Sequence, residues 1–142
     1  MGSRSSLRLE APRLIALALL LQGCSALAPS ESALPAGAVA TIAPVVYQEW
    51  ARRTEACSGI QGDFSTVKWY VVPGVETFST KDGTKVGLWI SNSSGDKIII
   101  AGNYQNHEMV VSHEFLHHLL HREGHPPEYF SSKCHLTWET WD

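Results

Sequence analysis

From His107 to His121 the chain runs fifteen residues without a glycine or a proline. That is about four turns of helix, and Gly124 with Pro126-Pro127 beyond it closes the run. Its apolar residues, Met109, Val110, Val111, Phe115, Leu116, Leu119 and Leu120, surround the helix and do not keep to one face. A helix apolar on more than one side is a buried helix. This one also carries His113, Glu114, His117 and His118, which are costly to bury unless something holds them. The fold must therefore enclose a polar centre inside its own core. All seven histidines of the chain lie between His107 and His135, which puts any chemistry in the last third.

The rest of the sequence supplies a scaffold for that helix. Thr41-Ile42-Ala43-Pro44 reads as a helix start, with Thr41 as N-cap and Pro44 in the first turn. Ile42, Val46, Trp50 and Cys57 form its inward stripe, and Ser58-Gly59 ends it. Val67 to Val72 is β-branched and aromatic, a strand stopped by Pro73-Gly74. Lys85 to Ile90 is a second strand and Lys97 to Ala101 a third, separated by a loop over Asn92 to Asp96. Asn103 or Asn106 then caps the buried helix. Trp50, Trp69 and Trp89 are expected in the core, and Trp138 and Trp141 near the cleft or partly exposed. The expectation is one α+β domain with a leading helix, a small mixed or antiparallel sheet and the buried helix at the back. With 142 residues, 18% charged and a net charge of −3, the chain is neither disordered nor a general nucleic-acid binder.

The N-terminus reads as an address. Arg4, Arg8 and Arg13 precede an apolar run from Leu14 to Leu21, too short to span a bilayer, which needs about 20 residues. Leu21-Gln22-Gly23-Cys24 resembles the bacterial lipobox, which implies cleavage before Cys24 and lipidation of its thiol. Residues 1–23 are then the signal peptide, 24–40 a tether rich in Ala, Ser, Pro and Gly, and 41–142 the folded domain. Taking Arg4, Arg8, Arg13 and Glu10 from totals of 11 basic and 14 acidic residues leaves 8 and 13. The mature protein is expected to be anchored to a membrane of the bacterial cell envelope, facing the periplasm or the outside. Cys57 and Cys134 are the two remaining cysteines, and in an oxidising compartment they are expected to pair.

His113-Glu114-Phe115-Leu116-His117 is an H-E-x-x-H motif. Residues i and i+4 of a helix differ by about 40° and one turn, so both imidazoles address one spot. Two nitrogens there can hold Zn²⁺, and Glu114 beside them can reach a water on the metal as general base. A third protein ligand is required. His125 is the leading candidate, because Gly124 lets the chain turn back on the helix; Glu128 and His135 come next. His121 is about 12 Å along the axis from His113, too far to share its ion. His118 points about 100° away from His117 and reads as a polar flank or a partner of Glu114.

The stretch from His113 to His125 resembles the zincin metallopeptidases, and the strand at 97–101 does so loosely. Leu120 and Glu123 stand where metzincins carry Gly and His. The resemblance implies a compact zincin-like fold that hydrolyses peptide bonds with Zn²⁺. It also implies that Lys97 to Ala101 is the edge strand on which an extended peptide pairs. Tyr104, Tyr129 and His135 are the possible oxyanion donors. A rival expectation is a non-catalytic zinc-binding or adaptor lipoprotein. Nucleic acid is expected as a partner in neither case.

Overall fold

The computed structural model describes residues 33–142, together with Gly2. The leader, its apolar run and Cys24 lie outside the described residues. The architecture is α+β. A four-stranded mixed sheet has the order β1 (Val39–Thr41), β2 (Lys68–Val72), β6 (Gly95–Ala101), β5 (Gly87–Asn92). Two helices, α1 (Val45–Ser58) and α2 (Glu108–Leu120), pack on one face of it. Phe78, of a small hairpin made by β3 (Phe78–Thr80) and β4 (Gly83–Lys85), packs on the other. Leu34 and Ala38, tether residues by composition, also pack on that second face.

Strand β6 organises the sheet. It pairs in parallel with β2 and antiparallel with β5, with Ile98 opposite both Trp69 and Trp89. Its side chains alternate between two cores. Ile98 and Ile100 face the helices, while Ile99 and Ala101 face Phe78 and Val72. A strand buried on both sides reads as an unbroken apolar run, which explains three consecutive isoleucines. The same position corrects an expectation: Lys97–Ala101 is central, and the edge strand beside α2 is β5.

Other expectations shift by smaller amounts. Thr41 belongs to β1, and Pro44, in extended backbone, is the residue before α1. The buried face of α1 is Tyr47, Trp50, Ala51, Thr54 and Ser58, while Ile42 is 93% exposed. The expected stripe holds at Trp50 and fails at its start, because Ile42 precedes the helix and Val46 lies 41% exposed in its first turn. Thr54 is tolerated inside because its hydroxyl donates to the Trp50 carbonyl at 2.8 Å. Lys85–Ile90 is not one strand: β4 ends at Lys85 and β5 starts at Gly87. The loop after β5 is a tight turn, with Asn92 opposite Gly95 and Asp96 already in β6. No asparagine caps α2; His107 precedes it without a side-chain cap. The helix stops at Leu120, before Gly124, because His121 adopts a left-handed conformation with φ 52°.

Cys57, at the end of α1, is disulfide-bonded to Cys134 with a Cα–Cα distance of 5.2 Å. The bond holds the C-terminal segment against both helices, and that segment returns towards α2 through a π-helical turn over Glu128–Lys133.

Candidate metal centre and its cleft

Helix α2 brings His113 and His117 to one side, one turn apart. His125 arrives from the loop after the helix, and its Nε2 stands 3.0 Å from His113 Nε2 and 3.2 Å from His117 Nε2. The ligand atoms of all three lie within 4.8 Å of one another. Nitrogens set tetrahedrally at about 2.0–2.1 Å from one ion stand about 3.3 Å apart, so the triad fits a metal ion.

The other ring nitrogens fix the tautomers. His113 Nδ1 lies 2.7 Å from the Leu136 carbonyl, and His117 Nδ1 lies 2.8 Å from the Arg122 carbonyl. A carbonyl only accepts, so each Nδ1 carries the proton and donates, leaving each Nε2 lone pair aimed at the shared point. Phe130 forms an apolar wall, with its ring 4.8, 4.8 and 4.9 Å from the His113, His117 and His125 rings. The Trp89 ring stacks on His117 at 6.2 Å and 11°. Burial, partly offset by the carbonyl bonds, pushes His113 and His117 down to about 4. Burial lowers His125 as well. All three are therefore neutral at pH 7, the form that binds a metal.

Glu114 is 7% exposed and lines the same cleft. Burial pushes its carboxyl up to about 8, against the pull of a hydrogen bond from the Trp89 backbone N–H and the charge of Lys85. It packs on the backbone of Gly87. A Cβ there would fall 2.6 Å from Glu114 Oε1, so only glycine leaves room for the carboxylate.

The cleft has a volume of about 690 Å³. Leu88 and Trp89 of β5 line one wall, and Met109 and Val110 of α2 the floor. Trp138, 57% exposed, stands at the rim. Lys85, at the end of β4, also lines it. Tyr104, Tyr129, His135 and Glu128 do not. Tyr104 packs edge-on against Trp138, Tyr129 lies under the Lys133 ammonium, and Glu128 pairs with Lys133 at 2.7 Å. Of the three candidates for third ligand, His125 is the one in the cluster.

His118 serves the other flank of α2. Its Nδ1 donates to Asp96 Oδ2 at 2.5 Å, so its hydrogen bond goes to β6 and not to Glu114. Trp89 Nε1 donates to the same oxygen at 3.2 Å, and His121 Nδ1 lies 3.8 Å away. Burial alone would raise the Asp96 carboxyl; bonds from Ser91, His118 and Trp89 outweigh it and hold it below its ordinary value.

Besides Gly87 and Lys85, sequence reasoning missed four participants. Asp96 read as part of a loop. The Leu136 and Arg122 carbonyls belong to the backbone and carry no side-chain signal. Phe130 was not singled out, although its place after Pro126-Pro127 was a usable hint. Searches against protein-family models, curated proteins and solved structures found no match.

Proposed function

We propose that this protein is a zinc-dependent peptidase of the zincin type, held at the bacterial envelope by a lipid on Cys24. The observation that carries the reading is Glu114, a buried carboxylate in the open cleft beside three convergent imidazole nitrogens. A site for storing metal has no use for it. Three nitrogen ligands and an approach left open to the cleft suit catalytic zinc. Zinc bound there would polarise a water molecule and the substrate carbonyl. His113, His117 and His125 hold it, and the Leu136 and Arg122 carbonyls keep two of them oriented.

Ionised by the positive charge that a bound metal would place beside it, Glu114 takes a proton from the attacking water as the water oxygen joins the carbonyl carbon. It returns that proton to the nitrogen as the C–N bond breaks, releasing a new carboxyl end and a new amine. The Trp89 N–H holds the carboxylate in place. Ala101 N donates to Val86 O at 2.8 Å, so Val86, Leu88 and Ile90 face β6 in the antiparallel ladder. Gly87, Trp89 and Ser91 then point their backbone groups outward along the cleft; the Trp89 N–H is taken by Glu114, so at that residue a partner strand meets the carbonyl alone. An extended peptide laid along this edge gains main-chain hydrogen bonds with little sequence demand.

The test is metal stoichiometry beside cleavage of casein by the mature chain. The expected result is one zinc per chain with cleavage. E114Q should keep the zinc and lose cleavage by about 10²–10⁴-fold. One zinc with no cleavage of casein or of a diverse peptide library would favour the adaptor alternative; no zinc would end both readings.

A further inference from the structure

We propose that Lys85 stabilises the oxyanion of this cleft: its ammonium binds the substrate oxygen that becomes negative as the carbonyl carbon turns tetrahedral. The inference rests on the hydrolytic reading above. Hydrolysis places a negative charge on that oxygen, and a preorganised donor for it is worth about 10²–10³-fold in rate. Tyr104, Tyr129 and His135, the donors expected from the sequence, lie outside the cleft lining.

Lys85 is the one lysine or arginine among the residues that line the cleft. It shares that lining with Glu114 and with His113, His117 and His125, so base, metal ligands and lysine border one cleft. Among the described residues its ammonium forms no hydrogen bond or ion pair, and its donors remain available for an incoming group. The backbone around it is anchored. Lys85 pairs with Phe78, whose ring is buried in the second core, and the next carbonyl, of Val86, accepts from Ala101. A half-buried lysine with a fixed root and a free head can follow the oxygen through the reaction. It also adds charge complementarity that neutral threonines at 77, 84 and 137 cannot supply.

The test uses the zinc-loaded mature chain and a phosphinic pseudopeptide, whose PO₂⁻ group imitates the tetrahedral carbon. K85Q should weaken phosphinate binding by about 10–100-fold, and K85R should recover most of it. Both should keep one zinc per chain and the native circular-dichroism melt. On a fluorogenic peptide, K85Q should lower kcat by about 10²-fold or more with KM little changed. Equal phosphinate affinity for K85Q and the native chain, with zinc retained, overturns the proposal. So does a zinc-loaded native chain that does not bind the phosphinate. The hydrolytic reading fails separately, when the native chain binds the phosphinate through Lys85 but, like E114Q, cleaves nothing; Lys85 is then an anion-binding residue and its catalytic role is lost.

Discussion

The two sides of α2 follow opposite rules. Against α1 the helix is held by ordinary means. Arg53 reaches Glu108 at 3.0 Å, Thr54 and Ser112 are both buried, and the Cys57–Cys134 bond closes the seam. Against β5 the same helix buries Glu114 as the neutral acid, a form it would not choose in water at pH 7, and resists protonation of His113 and His117 down to about pH 4. One side supplies stability, and the other draws on it to keep a carboxylate and two imidazoles dry. A domain of this size can carry such a site because the two tasks fall on different faces of one helix.

The contrast is easiest to break at the metal. H117A removes a ligand and should cost more than the roughly 10–100-fold in affinity that loss of an outer partner costs. H118A, one residue away but bonded to Asp96, should leave metal affinity within that outer-partner range. Isothermal titration of both variants with zinc decides it; equal losses would show that the two flanks are not distinct.

On the stapled side, replacing Cys57 and Cys134 with serine opens a loop whose ends are 77 residues apart. The loop-entropy estimate is about 4–5 kcal/mol. Urea unfolding of the zinc-free chain should show a loss of that order. A midpoint unchanged from the native chain would mean that packing alone holds the C-terminal segment.

The cleft side should behave in reverse, with removal of a functional group stabilising the fold. The Glu114 carboxyl sits at about 8, above its ordinary 4.5. Its contribution is therefore fully present below pH 4.5 and is lost as pH rises towards 8. In EDTA, E114Q should be about as stable as the native chain near pH 5 and more stable by roughly 2–3 kcal/mol near pH 7. The histidines run the other way, being lowered, but they cancel in the difference between the two proteins. A stability difference that does not change with pH would refute the assigned burial.

The smallest effect is expected at Gly87. G87A pushes a methyl group against Glu114 and should cost about 1–3 kcal/mol. It should keep the zinc while lowering peptide cleavage, because it displaces the base and leaves the ligands alone. Native cleavage rates in G87A would mean that Glu114 has room to spare.

Local spacing made the ligands legible. His113 and His117 are one helical turn apart, and Gly124 announced the return that brings in His125. The pairing of Cys57 with Cys134 followed from there being no other cysteine beyond Cys24. The rest depended on tertiary neighbours. Lys97–Ala101 was expected at the edge only because the zincin resemblance implied it; its three consecutive isoleucines already carried the pattern of a strand covered on both faces. Asp96 looked like loop because Asn-Ser-Ser-Gly precedes it, yet the turn is short enough to put it in β6. Lys85 was invisible because it and its cleft-lining neighbours Val86 to Trp89 reach the histidines only through the folding of the sheet on α2.

The parallel pairing of β2 with β6 has one further consequence. Residues 73–94, which carry the hairpin and the cleft-side strand β5, form an excursion between two neighbours whose own alignment is fixed by Trp69, Ile98 and the side chains around them. Length and composition at the hairpin tip, near Lys81 and Asp82, can therefore drift without disturbing the central ladder. The exposed residues there can therefore change while the histidine cluster keeps its place.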